Sequence, residues 1–521
     1  MDEHAAVVVP VEAAVPEFAN VADWVTHQAG LRPESVALVQ PGAERRALSW
    51  ADLESQVASV AAGLAGHGLI AGHRVALLSR NSMEFVIAYF AILRAGFVAV
   101  PMDPHSSDSE IQTVLDDSGA RVLLSAVDRD FSGVRALPLT ESGLAELAAD
   151  GVGPVSSPVD RESLAVLLYT AGTSGDAKAV MLTHRALLSH QDHVVGLRMF
   201  DERTVVLAVL PLFHVFGLNA VLGSWVRAGG TAVVVDGLGN DLLTVMEAEH
   251  VDNLPVAPSI LYHLLRLDDQ HATPSSELHT RSRTTAKPWA EVSMVVSGAA
   301  PLPWSLSRAF TERTGLRVEQ GYGLTEAAPG VTATIGGEII GPGHVGRPLP
   351  GVDLRIGDGG DEAEPDEIWI RGDNLFSGYW PDGRGGPDSA GWFATGDIGY
   401  RAGGELFLVD RARELIVVNG FHVYPAEVEQ VIQALPGVEE VAVIGRDHPG
   451  SGEEVVAFVA GPRLSVDQVL EHCASTLARF KRPTAVYLVN GLPRGATGKV
   501  KKGALRLMSM ARPVQNVDEH G

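Results

Sequence analysis

The sequence predicts an α/β protein with a large N-terminal domain of layered sheets and a small α+β C-terminal domain. Its 521 residues exceed what one hydrophobic core normally serves, since domains have about 100 to 200 residues. Up to about residue 330, short apolar strands alternate with helical patterns, which favours layers of largely parallel sheet. After Gly341, short strands are separated by Gly and Pro turns, which indicates a small β subdomain.

The expected domain boundary follows Asp410. Residues 1–410 form the predicted large domain, within which the β subdomain covers about 341–410. Residues 411–521 have the length of a separate small domain. Their apolar patterns predict two helices and two strands, at Pro425–Ala434, Ser465–Arg479, Val441–Gly445 and Glu454–Ala460.

Local signals predict individual elements of the large domain. A helix is expected within 47–68, because Ser49 can cap its start, Asp52 lies three residues later and apolar residues recur at helical spacing. Thr183 can cap a second helix that begins at His184. Four apolar runs predict strands, at Val75–Ser79, Phe97–Met102, Arg121–Leu124 and Thr231–Val235.

The composition argues against several classes of function. The formal net charge of −24 repels polyanions and makes unspecific nucleic-acid binding unfavourable. The one cysteine, Cys473, excludes an internal disulfide and a multi-cysteine metal site, and it fits a reducing compartment. The N-terminus begins with acids and lacks the basic region of a signal peptide, and Pro211, His214 and Asn219 interrupt the apolar window 205–226. We therefore expect a cytoplasmic protein without a transmembrane segment.

The segment 167–184, LLYTAGTSGDAKAVMLTH, places a glycine loop after an apolar strand. Gly172 and Gly175 allow the backbone to approach a ligand closely. Groups that suit phosphate oxygens come from Thr170, Thr173, Ser174 and Lys178. The spacing of these glycines and the lysine differs from that of a Walker loop. A solvated turn is the alternative that this segment alone leaves open.

The segment 319–330, EQGYGLTEAAPG, carries three further groups that a nucleotide site needs. Tyr322 offers an aromatic ring for stacking, Thr325 a hydroxyl for a phosphate and Glu326 an oxygen ligand for Mg²⁺. Taken alone, this segment is equally typical of a tight turn.

Three later segments complete the set of chemical groups. WFATGDIGY contains Asp397, whose carboxylate can accept both hydroxyls of a ribose. Arg411 follows closely, in LVDRARELIVVNGFHVYPAEVE, and can join that contact. NGLPRGATGKVKK, residues 490–502, presents Lys499 on a glycine-rich loop near the C-terminus.

Together the five segments resemble, in order and type, the core motifs of the adenylate-forming superfamily, and in particular its acyl-CoA synthetases. The resemblance covers nearly the whole chain, from about Asn20 to Leu505. It implies that a carboxylic acid, expected to be a fatty acid, attacks the α-phosphorus of ATP and gives acyl-AMP and pyrophosphate. Coenzyme A then takes the acyl group and releases AMP, and Mg²⁺ is the implied metal cofactor.

The resemblance also assigns roles to the motif residues. One set would bind the phosphates, adenine and ribose of ATP: Thr170, Thr173, Ser174, Gly175, Lys178, Tyr322, Asp397 and Arg411. A second set would be catalytic, with Lys499 as the adenylation lysine, Thr325 at the α-phosphate, Glu326 as the Mg²⁺ ligand and His214 as a gate or carboxylate contact.

The C-terminal domain is implied to be mobile. After adenylation it would rotate about a hinge close to Arg413 and remove Lys499 from the site. The turn formed by Asn419, Gly420 and Phe421 would then face the incoming thiol.

The acyl pocket is expected in PLFHVFG and SGAAPLP. Its expected lining consists of apolar or small residues, namely Phe213, Phe216, Gly217, Gly298, Ala299 and Ala300. Neither segment contains an arginine or lysine that could pair with a second carboxylate, so a dicarboxylic acid is less favoured.

Several alternatives stay open at the level of sequence. The phosphate loop departs from the family pattern at three positions, where Ala171 replaces a hydroxyl residue, Ala177 a proline and Ala179 a glycine. One hydroxyl contact is thereby lost, at Ala171. An aryl-CoA ligase, an acyl-AMP ligase that loads a carrier protein and an inactive ATP- or acyl-AMP-binding relative are the competing functions. A homodimer is also open.

Two groups of residues that contain histidine are candidates for a metal site. Glu247 and His250 have the spacing of di-metal helices, but a single copy favours a solvated helix face. His184, His190 and His193 share one region without zinc spacing.

Overall fold

The computed structural model describes residues 17–511, with gaps at 152, 159, 171–177, 240, 273–288, 338–340, 361, 412–413, 419–420, 449–451, 496–497 and 499. The helices in this part of the chain are α1 (Asp23–Leu31), α2 (Trp50–Gly66), α3 (Met83–Arg94), α4 (Asp108–Ser118), α5 (Glu141–Ala149), α6 (His184–Gly196), α7 (Ser224–Ala228), α8 (Leu242–Ala248), α9 (Pro258–Ala272), α10 (Trp304–Thr314), α11 (Pro425–Gln433), α12 (Val466–Thr476) and α13 (Lys502–Ala511). A π-helical segment, Phe216–Gly223, precedes α7.

The strands of the first 300 residues are β1 (Val36–Gln40), β2 (Arg46–Ser49), β3 (Arg74–Leu78), β4 (Val98–Met102), β5 (Val122–Ser125), β6 (Arg135–Pro138), β7 (Leu164–Thr170), β8 (Lys178–Thr183), β9 (Val205–Ala208), β10 (Thr231–Val234), β11 (Asn253–Val256) and β12 (Met294–Ser297). The later strands are β13 (Glu319–Gly323), β14 (Gly330–Ala333), β15 (His344–Pro348), β16 (Asp353–Ile356), β17 (Asp366–Arg371), β18 (Phe393–Ala402), β19 (Glu405–Arg411), β20 (Ile416–Val418), β21 (Phe421–Val423), β22 (Glu440–His448), β23 (Gly452–Ala460) and β24 (Ala485–Val489).

These strands form three sheets. The largest has 13 strands in the order β16-β17-β18-β19-β15-β14-β13-β12-β11-β9-β10-β1-β2. The second has six strands in the order β6-β5-β3-β4-β7-β8, and the third has five strands, with β24 paired to β23 beside the path β21-β20-β23-β22. The predicted α/β class with layered sheets is confirmed.

Strand direction changes within each of the two larger sheets. Pairing is parallel from β10 to β13 and from β6 to β7. It is antiparallel from β13 to β16, so the strands at 344–411 continue the large sheet instead of forming a sheet of their own. Helix α3 is buried at every position and contacts β1 of one sheet and β3 and β4 of the other. The two sheets therefore share one core.

Two helix starts are formed as predicted. Ser49 and Asp52 make a reciprocal capping box at the start of α2, and the Thr183 hydroxyl accepts a hydrogen bond from Ala186 N at the start of α6. The window 205–226 folds as a buried strand, a loop and helix, also as predicted. In the described part of the chain, no helix combines the length and apolar character needed to cross a bilayer.

The five-stranded sheet has its own apolar core. Val428 and Ile432 of α11 pack with Val443 of β22 and with Val469 and Cys473 of α12. Burial also raises the pKa of the Cys473 thiol, to about 11. The cysteine is thus an apolar core residue, as expected.

The contact between α2 and α5 depends on a glycine, which gives a stability test. A methyl group on Gly63 would lie 2.0 Å from the Leu147 carbonyl oxygen, whereas one on Gly30 of α1 meets nothing within 4 Å. We expect Gly63→Ala to destabilise the fold by about 1 to 3 kcal/mol, because the two helices must move apart. Gly30→Ala should be neutral or stabilising by up to about 1 kcal/mol. Urea unfolding of both variants measures this, and a Gly63→Ala midpoint at or above that of Gly30→Ala would contradict it.

Candidate active site

Lys178 and Glu326 converge on one aromatic side chain, Tyr379. The Tyr379 hydroxyl donates a hydrogen bond of 2.7 Å to Glu326 Oε1. Lys178 Nζ lies 4.9 Å from the centroid of the same ring, a distance at which a cation is attracted to the ring face. A carboxylate and an amine that are 148 residues apart in the sequence therefore occupy one site.

Backbone pairing fixes this arrangement. The outer edge of β8 forms three backbone hydrogen bonds with the segment Ser377–Trp380. Ser377 N donates to Met181 O at 3.0 Å, Met181 N donates to Gly378 O at 3.1 Å, and Trp380 N donates to Ala179 O at 2.9 Å. Phe376 N donates to the Glu326 carbonyl oxygen at 2.9 Å. One short segment therefore joins the edge of the six-stranded sheet to the Thr325–Ala327 turn.

The glycine-rich loop spans the ends of a β-hairpin. Strands β7 and β8 pair antiparallel, with Thr170 opposite Lys178, and the Thr170 hydroxyl lies 3.4 Å from Lys178 O. Thr173, Ser174 and Gly175 lie outside the described residues. The two ends of the predicted phosphate loop are thus held together at the base of the cluster formed by Lys178 and Tyr379.

A second buried contact joins Tyr322 and Asp397. Both are less than a tenth exposed, and the Tyr322 hydroxyl donates a hydrogen bond of 2.7 Å to Asp397 Oδ2. Asp397 also stands opposite Arg411 in the pairing of β18 with β19. The predicted adenine and ribose residues therefore lie together, although the Arg411 side chain is outside the description.

The turn that carries Thr325 and Glu326 is held by buried amides. Asn219 donates to Ala328 O at 2.6 Å, and Asn374 donates to Ala327 O at 2.7 Å and Gly330 O at 2.8 Å. Asn219 and Asn374 are fully buried. Carbonyl groups that the turn leaves unpaired are satisfied in this way.

In the group of His184, His190 and His193, the first two histidines accept hydrogen bonds from backbone amides. His184 Nδ1 accepts from Val21 N at 3.2 Å, and His190 Nδ1 accepts from Gly330 N at 3.3 Å. Burial lowers the pKa of His184 to about 4 and that of His190 to about 3, so both rings are neutral near pH 7. His193 contacts the Ser189 hydroxyl at 3.3 Å.

The remaining metal candidate was Glu247 with His250, and the His250 ring contacts a different carboxylate. His250 contacts Glu291 at 2.9 Å, and both side chains are more than half exposed. Across the residues that the structure describes, no group of three or more His, Cys, Asp or Glu side chains could hold a metal ion.

The two predicted acyl segments touch each other. A Cβ on Gly298 would lie 3.0 Å from Phe216 Cε1, so the glycine backbone packs directly on the ring. A Cβ on Gly217 would lie 2.3 Å from Pro211 O, which keeps this turn compact. Ala299 adopts a left-handed φ of 66° and is exposed, while Ala300 is half-buried. Phe216 and Gly298 therefore form part of one apolar wall.

A cavity of about 450 Å³ is lined by part of the first acyl segment. Its lining includes Asn81, Pro211 and Phe213, together with Arg494 and Lys501 from the C-terminal part of the chain. His214, one residue further along, is half-buried, and its backbone N donates to Pro211 O at 3.1 Å.

Gly498, which precedes Lys499 in the sequence, packs against Ser259 at the start of α9. Lys499 itself is outside the described residues, but Gly498 has φ +78° and a Cβ there would meet Ser259 Oγ of α9 at 2.4 Å. Only a glycine fits this approach without displacement.

Of the predicted hinge and thiol-site residues, the structure describes Phe421. Arg413, Asn419 and Gly420 lie outside the described residues. Phe421 is 55% exposed and stacks on Phe480 within the five-stranded-sheet unit, with ring centroids 4.8 Å apart.

Comparison with known proteins identifies the family. Residues 25–380 match the model described as AMP-binding enzyme, and residues 427–499 match that of the AMP-binding enzyme C-terminal domain. The first match alone covers more than half of the chain. The chain belongs to the AMP-binding enzyme family. It is an acid–thiol ligase of the adenylate-forming superfamily.

Relatives within this family differ in the acid that they are named for. A feruloyl-CoA synthase from Amycolatopsis sp is 32% identical over 94% of this chain and 98% of its own. The long-chain-fatty-acid–CoA ligase FadD13 of Mycobacterium tuberculosis is 29% identical over 94% of this chain and 98% of its own. The crystal structure of ATP-bound MatB from Rhodopseudomonas palustris is 29% identical, with a TM-score of 0.84, over 94% of this chain and 99% of its own.

Sequence reasoning about this AMP-binding enzyme missed four polar residues. Tyr379 and Asn374 lie in a segment whose only local signal was the Gly and Pro content of a turn. Asn81 and Asn219 bond to backbone groups far away in the sequence. Such partners become visible only once the sheets are assembled.

The buried histidines predict how the stability of this AMP-binding enzyme depends on pH. Both take up a proton in the unfolded chain near pH 6.5, but in the folded protein only near pH 4 and pH 3. Their contribution is therefore complete above pH 6.5 and is lost as the pH falls, by about 2 to 3 kcal/mol each at pH 4.5. We expect His190→Asn, whose Oδ1 can accept from Gly330 N, to unfold with a shallower pH dependence between pH 7 and pH 4.5. Parallel stability curves for both proteins would contradict this assignment.

Proposed function

We propose that this protein activates a fatty acid as acyl-AMP and transfers the acyl group to coenzyme A, with release of pyrophosphate and AMP. The observation that carries the proposal is the convergence of Lys178 and Glu326 on Tyr379. Together they offer a cation and an oxygen ligand at the base of a glycine-rich loop, as a nucleoside triphosphate requires.

The phosphates of ATP would lie between the glycine loop and the Thr325–Ala327 turn. Thr170, Thr173, Ser174, Gly175 and Lys178 would hold the pyrophosphate that leaves, and Thr325 the α-phosphate. Thr325 is buried in a turn braced by Asn374 and Asn219. A donor held in place in this way stabilises developing charge without reorganising during the reaction.

The nucleoside would lie on the contact between Tyr322 and Asp397. The hydroxyl of Tyr322 fixes one carboxylate oxygen of Asp397, and Arg411 stands opposite Asp397 on the neighbouring strand. Asp397 and Arg411 would bind the ribose hydroxyls, while the ring of Tyr322 would lie against adenine.

The donor set fits Mg²⁺. Glu326 supplies a carboxylate and Thr325 a hydroxyl, which are the hard oxygen ligands that Mg²⁺ prefers, and this ion is usually bound by one or two carboxylates plus substrate phosphates. Bound Mg²⁺ would supply neutralisation of phosphate charge. Within this chain, Tyr379 orients the Glu326 carboxylate for that role.

Lys499 would neutralise charge where the acid meets the α-phosphate. Support comes from its neighbours in the sequence. Gly498 packs on Ser259, and both Arg494 and Lys501 line the same cavity as Phe213.

We further propose that 1–410 and 411–521 are the two domains and that a hinge near Arg413 rotates the second domain. Asn419, Gly420 and Phe421 would approach the site only after that rotation.

The preference for a fatty acid rests on the apolar wall of Phe216 and Gly298 and on the relative named a long-chain-fatty-acid–CoA ligase. An aryl-CoA ligase is the second candidate, since a feruloyl-CoA synthase is 32% identical. In either case His214 would gate the acid or contact its carboxylate. We also propose that the protein is located in the cytoplasm.

Product analysis tests the proposal. ATP, Mg²⁺ and a panel of fatty, aromatic and dicarboxylic acids are incubated with the enzyme, with and without coenzyme A, and products are identified by mass spectrometry. We expect acyl-AMP from a fatty acid without coenzyme A and acyl-CoA with it. Acyl-CoA from an aromatic acid alone would support the second candidate, and acyl-AMP that persists with coenzyme A would support a carrier-protein acceptor. Size-exclusion chromatography with light scattering distinguishes a homodimer from a monomer.

Lys499→Ala should separate the two half-reactions. Adenylate formation should fall by about a hundredfold or more, because the charge that develops between acid and phosphate loses its cation. Thioester formation from supplied acyl-AMP should be retained. Both half-reactions are followed by mass spectrometry, and an equal loss of both would overturn the role assigned to Lys499.

Asp397→Ala should weaken ATP binding. Loss of charged hydrogen bonds to the ribose should raise the KM for ATP by about tenfold or more. Tyr322→Phe keeps the ring but removes the hydroxyl that bonds Asp397, so it should raise KM less. Steady-state kinetics at saturating acid measure both variants, and an unchanged KM for ATP in Asp397→Ala would remove this residue from the ribose site.

A further inference from the structure

Asn81 spans the space between the two larger sheets. It follows β3 of the six-stranded sheet, and it is 7% exposed. Its Nδ2 donates to Ala208 O at 3.2 Å and to Leu210 O at 2.9 Å. Its Oδ1 accepts from Leu212 N at 2.9 Å. Every hydrogen-bonding group of this amide therefore contacts the last residue of β9, in the 13-stranded sheet, or the segment that follows it.

The pattern of these bonds is that of a neighbouring strand. In an extended chain, backbone groups at alternate residues point to the same side, and Asn81 bonds residues 208, 210 and 212. The Asn81 side chain thus supplies the hydrogen bonds that a neighbouring strand would supply, and it keeps this segment extended up to Leu212. The chain then turns, with His214 N bonded to Pro211 O at 3.1 Å and Leu218 N bonded to His214 O at 2.8 Å.

The segment held by Asn81 leads directly into Phe213 and His214, the residues proposed to contact the acid. Phe213 and Pro211 line the cavity of about 450 Å³, and Asn81 lies beside them. His214 follows directly in the sequence. No other described side chain hydrogen-bonds the backbone of 208–212 in the structure.

We propose that Asn81 is a positioning residue that sets the placement of Phe213 and His214 at the acid-binding cavity. The role given to His214 in this inference rests on the proposed function. The restraint that Asn81 places on the 208–212 segment does not. Loss of the amide would remove the side-chain donor of the Leu210 carbonyl group and one of the two donors of the Ala208 carbonyl group, which also accepts from Val235 N at 3.3 Å. The segment could then shift. A displacement of 1 Å at a reacting group can cost about a hundredfold in rate.

The test uses two isosteric Asn→Asp variants of the full-length protein. Asn81→Asp keeps the oxygen that accepts from Leu212 N but replaces both donor hydrogens with lone pairs. Asn20→Asp is the matched control, because Asn20 is likewise buried, donates to Leu93 O at 2.8 Å and accepts from Ala22 N at 2.9 Å. None of its hydrogen bonds reaches the 208–212 segment. Asn81→Ala is the second variant in case the buried carboxylate prevents folding.

The first readout is hydrogen exchange of the peptide that covers residues 209–218, measured by mass spectrometry. We expect faster exchange in Asn81→Asp and wild-type exchange in Asn20→Asp. This readout needs no substrate, so it remains decisive even if the wild-type protein forms no acyl-AMP. Unchanged exchange in both Asn81 variants would overturn the inference.

The second readout is a double-mutant cycle with His214→Ala, scored by kcat/KM for the acid. Asn81→Asp should lower this value by about ten- to a hundredfold while the KM for ATP is retained. In the His214→Ala background the same change should cost much less, because the group to be positioned is gone. Equal factors in both backgrounds would show that Asn81 does not act through His214. A wild-type protein without adenylation would count against the proposed function alone.

Discussion

The site depends on backbone hydrogen bonds that extend β8 with the segment Ser377–Trp380. This pairing joins the edge of the six-stranded sheet to a segment that leads into the antiparallel half of the 13-stranded sheet. It places the ring of Tyr379 between Lys178 and Glu326. Because backbone bonds are directional and several act together, the relative position of amine and carboxylate is fixed before any ligand binds. Preorganisation of this kind is what phosphoryl chemistry demands from a protein.

The balance of charges around the cavity differs from the net charge of the molecule. The chain carries a formal charge of −24, which by itself would repel ATP. The lining of the 450 Å³ cavity nevertheless contains Arg80, Arg494 and Lys501 together with Asp103, Glu110 and Asp236, so opposite charges balance there. Two of the three cations come from the C-terminal part of the chain. An anion at the cavity therefore experiences a field that differs from that of the whole surface.

The fold class and the superfamily could be predicted because their signals are local. Ser49 and Asp52 predicted a helix start through a short-range capping box, and Thr183 did the same for α6. The bracing residues could not be found in this way. Asn374 bonds residues 44 and 47 positions away, and Asn81 bonds residues at least 127 positions away, so their partners follow only from the sheet order. The roles of all the site residues stay predictions, and Thr173, Ser174 and Lys499 also lie outside the described part of the chain.

The central claim is that the site adenylates a carboxylic acid before any thiol takes part. Exchange of labelled pyrophosphate into ATP tests this most directly, since it requires reversible formation of acyl-AMP and no coenzyme A. We predict exchange that depends on a fatty acid and on Mg²⁺ and that is retained when coenzyme A is omitted. Absence of exchange with every acid of the panel, in a protein that still binds ATP by calorimetry, would contradict the account and favour a nucleotide-binding protein without ligase activity.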